Sequence, residues 1–206
     1  MRRRAFISFE GPDGSGKSTQ LRLLGERLEA LGLDVVYTRE PGGTRIGEKI
    51  RDLTLDTENS EMDPLTEAML YAASRAQHVA EVILPQLELD RIVLCDRYID
   101  SSIAYQGYGR GLGDIAYSIN TLAVGGLMPD LTILVDAPPE TCFGRIGRTD
   151  ADRMESEDMA YHRRVYEAYL DIAGKHPERI KTVNGMQSEE AVQSDIREIV
   201  ERHLGI

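Results

Sequence analysis

The 206-residue sequence predicts an α/β fold in which helices cover both faces of a five-stranded parallel sheet. Short apolar segments of strand length alternate along the chain with segments of helical periodicity. Such alternation indicates strands joined by crossover helices. Two of the strand segments, RIVLC and LTILV, are apolar at nearly every position, as expected for strands that are buried on both sides of a sheet.

The predicted elements follow one another in strand–helix order. Strands are assigned to residues 5–9, 35–38, 91–95, 131–135 and 180–183. Helices are assigned to residues 17–31, 63–89, 114–124, 140–145, 158–173 and 188–203. Pro85 predicts a kink near the end of the helix over 63–89. Because neither a repeat nor a low-complexity linker interrupts the sequence, we expect one domain over residues 1–206.

The composition is that of a globular protein, with 41% hydrophobic and 29% charged residues. A net charge of −11 argues against extended binding to DNA or RNA, although a small phosphorylated ligand can bind where cations gather. The longest apolar runs have strand length, so we expect neither a transmembrane helix nor a secretory signal. Cys95 and Cys142 form no C-x-x-C pair, which favours a reduced, cytoplasmic protein.

A glycine-rich segment, GPDGSGKS, occupies residues 11–18 between the first predicted strand and the first helix. It matches the pattern G-x-x-x-x-G-K-[ST], which forms a phosphate-binding loop in this context. The backbone amides bind phosphate oxygens, Lys17 reaches the outer phosphates and Ser18 binds Mg²⁺. The segment therefore predicts the P-loop NTPase three-layer fold. The predicted ATP-binding residues are Gly11, Pro12, Asp13, Gly14, Ser15, Gly16, Lys17, Ser18 and Thr19.

A second acid, Asp96, directly follows the buried strand over 91–95 and precedes Arg97. Ligands of open α/β sheets bind at this carboxyl edge. Asp96 can hold a Mg²⁺-bound water, so Ser18 and Asp96 are the predicted metal residues. Arg97 offers a planar fork of donors for the phosphate of an acceptor. The alternative interpretation is a surface salt bridge between Asp96 and Arg97.

Nucleotide binding does not by itself define the reaction. A GTPase would also carry an N-K-x-D segment, which this sequence lacks, and a translocating ATPase would be larger and need a polymeric partner. A kinase therefore fits better. The alternatives are another P-loop kinase, such as a deoxynucleoside kinase that acts on unphosphorylated acceptors, and an ATP-binding switch without turnover.

Several further segments resemble the thymidylate kinase family. They are TREPGGT at 38–44, LYAASRAQH at 70–78, DRY at 96–98, SSIAYQGYGRG at 101–111 and PDLTILVD at 129–136. Together with the glycine-rich loop they cover most of the chain, and the combination is specific. The resemblance implies transfer of the γ-phosphoryl group of ATP to dTMP, giving dTDP and ADP. It also implies Mg²⁺ as cofactor and a homodimer.

The resemblance further implies which residues bind dTMP. In this sequence they are Asp13, Arg39, Tyr71, Arg75, Arg97, Ser101, Tyr105 and Gln106. Tyr71 and Arg75 lie four residues apart on one helix face and are expected at the thymine base. Without the resemblance, Tyr71 is typical of a core residue and Arg75 of a solvated face. A cis Glu40–Pro41 bond is also implied.

The other members of this set have implied roles as well. Asp13 is expected at the sugar hydroxyl and Tyr105 beside the 2′ position of the deoxyribose. Arg39 joins Arg97 at the acceptor phosphate. Gln106 and Ser101 are expected near the base.

Arginines, glycines and acids are interleaved over residues 140–157, which read ETCFGRIGRTDADRMESE. One interpretation is a solvated, salt-bridged face; the other is a mobile lid at about 144–157 that brings positive charge to the transferring phosphoryl group. The resemblance favours the lid, since Gly14 stands where some family members have an arginine. The DRME segment at 152–155 resembles the family's lid sequence, so Arg148 and Arg153 are preferred to Arg145 as the catalytic lid arginines. The predicted catalytic residues are Lys17, Asp96, Arg148 and Arg153.

Overall fold

The five predicted strands form one parallel sheet in the computed structural model, which describes residues 4–146 and 151–206. The strands are β1 (Ala5–Glu10), β2 (Val35–Arg39), β3 (Ile92–Asp96), β4 (Leu131–Asp136) and β5 (Ile180–Asn184). Their order across the sheet is β2-β3-β1-β4-β5, with every neighbouring pair parallel. The predicted sheet is confirmed.

The α-helices of the described residues surround this sheet. They are α1 (Lys17–Ala30), α2 (Arg45–Leu55), α3 (Pro64–His78), α4 (Leu84–Glu88), α5 (Ile99–Ser102), α6 (Asp114–Val124), α7 (Pro139–Ile146), α8 (Met159–Lys175) and α9 (Glu189–Leu204). Two π-helical turns, Val79–Ile83 and Ile103–Gly109, follow α3 and α5. None of the helices in the described ranges is long and apolar enough to cross a membrane.

Helices cover both faces of the sheet, as predicted. Leu24 of α1 and Ile196 of α9 pack with Ile7 on one face. Ile83 packs with Phe6 on the opposite face, and α8 covers the part of that face formed by β4 and β5. Since successive residues of a strand point to opposite faces, the continuous apolar character of β1 is explained by burial on both sides.

The helix predicted over 63–89 is interrupted one turn before Pro85. It begins at an Asp63 cap, whose carboxylate accepts from the Leu65 amide at 2.9 Å, and α3 ends at His78. Across the following π-helical turn the Leu84 amide donates to the carbonyl of Val79, five residues back. Pro85 has no N–H and cannot donate the usual helical hydrogen bond to the carbonyl four residues back. The local switch to a π-helical pattern just before Pro85 is explained by this missing donor.

Two helical regions were missed by the sequence prediction. One is α2, which begins after a Thr44 cap whose hydroxyl accepts from the Gly47 amide at 2.9 Å. Its apolar residues Ile46, Ile50 and Leu53 have helical spacing, so a signal was present. The other is α5 with its π-helical turn, where glycines and small polar residues gave no clear period.

The register of the sheet places the carboxyl ends of β1, β2 and β3 side by side. Phe9 of β1 and Arg39 of β2 both pair with Asp96 at the end of β3. The loops that follow these three strands therefore leave the sheet side by side. This edge is where parallel α/β sheets bind ligands.

Candidate active site

The glycine-rich loop has the backbone conformation that phosphate binding requires. Gly11, Gly14 and Gly16 have φ values of 136°, 80° and 99°, a region that favours glycine. A side chain at Gly11 would also place its Cβ 2.5 Å from the Val135 carbonyl oxygen. Gly16 precedes α1 and has no side chain to occupy the first amides of that helix. Those amides and the helix N-terminus are therefore available to an anion.

Lys17 opens α1 and lies folded over the loop. Its ammonium donates to the Pro12 carbonyl at 2.9 Å and lies 3.9 Å from the Asp13 carboxylate. Burial and the neighbouring Arg97 guanidinium lower the pKa of Lys17 below its ordinary value. A bound polyphosphate would supply the negative charge that favours the ammonium form. All the predicted ATP-binding residues, from Gly11 to Thr19, lie in this loop and the first turn of α1.

The two predicted metal residues meet beside the loop. The Ser18 hydroxyl donates to a carboxylate oxygen of Asp96. A hydroxyl and one carboxylate in contact fit the chemistry of Mg²⁺, which usually keeps several waters and takes its remaining ligands from phosphates. The juxtaposition is produced by the pairing of β1 with β3, since the loop follows β1 and Asp96 ends β3.

Arg97 links the loop to a neighbouring cleft. It is one of two non-glycine residues with positive φ in the described part of the chain, at 69°. Its guanidinium contacts the Asp13 carboxylate at 2.5 Å and the Tyr169 hydroxyl at 2.9 Å. It also lies 5.2 Å from the centre of the Tyr105 ring. A backbone held in a sparsely populated region at this point is consistent with a side chain that must be aimed into a site.

Asp13 completes the junction between loop and cleft. It accepts from the Tyr105 hydroxyl at 3.0 Å in addition to Arg97. Burial would raise the pKa of the Asp13 carboxyl, but the Arg97 guanidinium and the Lys17 ammonium outweigh it and hold that pKa well below its usual range. Asp13 is therefore an acceptor of hydrogen bonds at neutral pH.

Behind this junction lies Glu10, an acid that the sequence analysis did not single out. Its carboxylate accepts from the Tyr98 amide at 2.8 Å and from the Ser101 hydroxyl at 2.6 Å. Burial, with a contribution from the Asp100 carboxylate, raises the pKa of Glu10 to about 7. Glu10 thus holds Ser101, which also accepts from Arg97 at 3.0 Å.

The cleft next to Arg97 encloses about 550 Å³ of space, part of it open to solvent. Seven of the eight predicted dTMP-binding residues line it: Asp13, Tyr71, Arg75, Arg97, Ser101, Tyr105 and Gln106. Residues that the sequence analysis did not assign complete the wall: Glu40, Pro41, Arg51, Leu55, Ser102, Asp152 and Met154.

Arg75 forms a rigid part of this wall. It is 2% exposed, and its Nε donates to Glu40 at 2.6 Å. Its terminal nitrogens donate to the Ser102 hydroxyl at 2.9 Å, the Tyr98 carbonyl at 3.0 Å and the Asn120 side chain. The alternative interpretation from spacing alone, that Arg75 lies on a solvated helix face, is therefore wrong. The Glu40–Pro41 bond is cis, as the resemblance implied.

Arg39 is not placed where the sequence analysis expected it. Its guanidinium pairs with Glu48 of α2 at 3.0 Å and is absent from the described lining of the cleft. Arg51, also on α2, lines the cleft and donates to the Pro41 carbonyl at 3.2 Å. Arg51 was not predicted as a site residue because the helix that carries it, α2, was not predicted. The helical spacing of Ile46, Ile50 and Leu53 could have indicated this helix and therefore its arginine.

The three arginines of the predicted lid have different placements. Arg153 is 7% exposed and pairs with Glu67 of α3 at 2.8 Å, so it does not reach the glycine-rich loop. The structure does not bring Arg153 to the loop, and its contact with the transferring phosphoryl group stays a prediction. Arg145 contacts the loop instead, with N–O distances of 3.4 Å to Gly14 and 3.2 Å to the Gly185 carbonyl. Arg148 lies outside the described residues.

Comparison with known proteins agrees with this geometry. The family model described as thymidylate kinase matches residues 9–196. The chain belongs to the thymidylate kinase family. It is 48% identical over 202 residues to a thymidylate kinase from Pelotomaculum thermopropionicum, covering 97% of this chain and 94% of the relative. It is 52% identical over 193 residues to one from an Exiguobacterium species, covering 93% and 91%.

A solved structure gives the same result. The crystal structure of thymidylate kinase from Ehrlichia chaffeensis superposes with a TM-score of 0.79 at 35% sequence identity, covering 96% of this chain and 98% of that chain. The predicted family, P-loop fold and enzyme class are therefore confirmed: the chain is a nucleoside monophosphate kinase of the thymidylate kinase family.

Proposed function

We propose that the chain transfers the γ-phosphoryl group of ATP to dTMP, with ATP on the glycine-rich loop and dTMP in the cleft lined by Arg97. The observation that carries this proposal is the contact between Arg97 and Asp13, at 2.5 Å. It joins the cleft to the loop at a single ion pair. A phosphate delivered to the cleft at this point would lie beside the outer phosphates of a nucleotide held by Lys17.

The donor side is built mainly from backbone. The loop amides and Lys17 hold the phosphates, and Ser18 and Asp96 are the residues that would hold Mg²⁺. When bound, Mg²⁺ neutralises charge on the phosphate oxygens. Lys17 and the amides are fixed by the fold before the nucleotide arrives, so they stabilise developing charge without reorganisation.

The acceptor phosphate is expected to replace Asp13 as the partner of Arg97. The planar guanidinium then binds two phosphate oxygens, while Ser101 and Tyr169 keep it in place. Asp13 is freed for the sugar hydroxyl and retains its bond to Tyr105. Arg51 at the rim of the cleft is a further cation for the phosphate. An acceptor that is already anionic needs no strong base, so catalysis rests on positioning and charge neutralisation.

The base is expected between Tyr71, Arg75 and Gln106. The side-chain amide of Gln106 donates to Glu67 at 2.9 Å. A carboxylate can only accept, so the orientation of the Gln106 amide is determined and its carbonyl oxygen remains free. That oxygen can accept from N3–H of thymine, whereas cytosine presents an acceptor at the same position. Arg75 has one remaining N–H, on the nitrogen that donates to the Tyr98 carbonyl, for a thymine carbonyl.

The catalytic arginine remains a proposal. Of the arginines that the structure describes in the predicted lid at about 144–157, Arg145 contacts the loop and Arg153 contacts α3. We expect Arg145 to supply charge near the transferring group, and the same role stays predicted for Arg148. A single domain with this lid and a cytoplasmic location also stay predictions.

A homodimer is proposed from the surface of three neighbouring helices. Large apolar side chains are exposed on α2, α3 and α6: Ile46, Leu53, Leu65, Met69, Ile115 and Leu122. Leu122 is 84% exposed. A patch of this kind on a soluble domain is typical of a protein interface.

Light scattering tests this proposal. The native protein should have the mass of two chains, and Leu122→Asp the mass of one chain. The control variant Leu31→Asp should have the same mass as the native protein, and a native monomer would contradict the proposal.

The experiment that tests the function is an ADP-release assay over a panel of monophosphates. We expect turnover with dTMP, slower turnover with dUMP, and very poor turnover with dGMP. Because one methyl group in a pocket is worth roughly 10- to 200-fold, some activity with dUMP is compatible with the proposal. Equal kcat/KM for dTMP and dGMP would contradict it, as would preference for an unphosphorylated nucleoside.

A further inference from the structure

A fully buried carboxylate, Glu67, lies on α3 between the cleft and the C-terminal part of the predicted lid. It is 0% exposed. Gln106 donates to it at 2.9 Å, Arg110 contacts it at 3.0 Å and Arg153 at 2.8 Å. Two guanidiniums on one carboxylate give it strong compensation for burial.

The partners of Glu67 belong to different parts of the site. Arg153 also binds the end of α2, since its Nε donates to the Thr54 carbonyl at 2.8 Å and its amide to the Leu55 carbonyl at 3.0 Å. Its sequence neighbours Asp152 and Met154 line the cleft. Glu67 therefore connects α3 with α2 and with a segment that forms one wall of the cleft.

Arg110 extends the same cluster in the other direction. Its guanidinium pairs with Glu157 at 2.5 Å and lies 4.8 Å from the centre of the Tyr161 ring. Glu157 is the last residue of the predicted lid, and Tyr161 belongs to α8. Two carboxylates, Glu67 and Glu157, balance the charges of two guanidiniums, Arg110 and Arg153, so these four side chains carry no net charge.

We infer that Glu67 is a positioning residue for the acceptor base: it sets the orientation of the Gln106 amide and holds the Arg153 segment against the cleft. Glu67 is not part of the described lining, so it acts through its partners. The inference rests on the proposed binding of dTMP in this cleft. Its chemical consequence is base selection, because only a pure acceptor at position 67 forces Gln106 to present its carbonyl oxygen to the base.

The central variant is Glu67→Gln, which keeps shape but can both donate and accept. Gln106 can then turn and present its NH₂ group, which suits N3 of cytosine. We expect the ratio of kcat/KM for dTMP to that for dCMP to fall at least about tenfold, since an unpaired polar group at a base is what rejects the wrong ligand. Arg153→Gln leaves the Glu67–Gln106 bond in place, so it should raise KM for dTMP while retaining base selection.

The control is Glu201→Gln, which removes the ion pair of Glu201 with Arg27 (3.0 Å) between α9 and α1. It should leave both the base selection and KM for dTMP unchanged. If Glu67→Gln does not fold, Glu67→Asp keeps a pure acceptor; it should retain selection with a raised KM for dTMP. Unchanged selection in folded Glu67→Gln, or an unchanged KM in folded Glu67→Asp, overturns the inference.

The native protein is measured first with dTMP and with dCMP. Failure of the native protein to use dTMP would contradict the proposed function, whatever the variants do. Native preference for dTMP together with full selection in Glu67→Gln would contradict only the role of Glu67.

Discussion

The glycine-rich loop and the acceptor cleft lie at the same edge of the sheet but are built in opposite ways. The loop is a contiguous segment whose binding groups are backbone amides, and its geometry depends on glycines at 11, 14 and 16. The cleft is assembled from side chains of six separated segments, which bind one another through buried ion pairs. The donor site is therefore a local property of the sequence, and the acceptor site is a property of the folded chain.

The difference has an energetic consequence. Backbone amides at a helix start are unpaired until an anion binds, so a phosphate adds interactions there. In the cleft two of the three arginines are already in ion pairs, Arg97 with Asp13 and Arg75 with Glu40. An acceptor nucleotide must therefore replace a carboxylate that binds one of these arginines, or accept from an N–H group of the arginine that is not already bonded. Specificity is expected from the cleft and charge neutralisation from the loop.

The largest effect is expected from Lys17→Ala. Lys17 is the one side chain of the loop that brings a full positive charge to the outer phosphates, and losing a single such donor costs roughly 10²- to 10³-fold in kcat or more. Circular dichroism should show an intact fold, since the Lys17 ammonium is not part of the apolar core. Lys175→Ala is the matched control, because that lysine is exposed and pairs with Asp171 at 2.7 Å. Near-normal turnover of Lys17→Ala would contradict the assignment of the donor site.

A second prediction separates the two lid arginines that the structure describes. Arg145→Ala should lower kcat at least about tenfold with little change in KM for dTMP, because Arg145 contacts the glycine-rich loop and a hydrogen bond from a charged group contributes about 1.5–3 kcal/mol. Arg153→Ala should instead raise KM for dTMP, because the Arg153 side chain holds the end of α2 beside Leu55, which lines the cleft. Steady-state kinetics of both variants check this, with Arg163→Ala as control, an exposed arginine that pairs with Glu140 at 2.7 Å. The reverse pattern would restore Arg153 as the catalytic arginine.

Much of this division could be predicted from the sequence. The loop was predicted residue by residue, because a backbone site follows from a short motif. Arg75 and Tyr71 were placed at the cleft only through the family resemblance, since spacing alone favoured a solvated face and a core residue. Arg39 and Arg153 lie away from their predicted positions for a physical reason. Each pairs with a carboxylate on a neighbouring helix, Glu48 or Glu67, and a partner on another element leaves no local sequence pattern.

The smallest expected effect concerns stability rather than rate, and it arises at Glu10. Folding raises the pKa of this carboxyl from 4.5 to about 7. The folded state therefore binds the proton more tightly, so the stabilisation is fully present below pH 4.5 and is lost as the pH rises through about 7. The free energy of unfolding of the native protein, relative to that of Glu10→Gln, should decrease over this window.

The comparison with Glu10→Gln removes the contributions of other groups. Burial lowers the pKa of His162, which gives a stability change of opposite sign in an overlapping range, but both proteins share it. Denaturant titrations at several pH values measure the difference. A difference that is constant or rises between pH 5 and pH 7 would contradict the raised pKa of Glu10.

The most direct test of the two-part site is calorimetry of ATP and of dTMP binding to Arg97→Gln and Lys17→Ala. We expect Arg97→Gln to weaken dTMP binding about tenfold or more, since a hydrogen bond to a charged group contributes about 1.5–3 kcal/mol, and to leave ATP binding nearly unchanged. Lys17→Ala should show the opposite pattern. If Arg97→Gln binds dTMP as tightly as the native protein, the cleft beside Arg97 is not the acceptor site and the account is wrong.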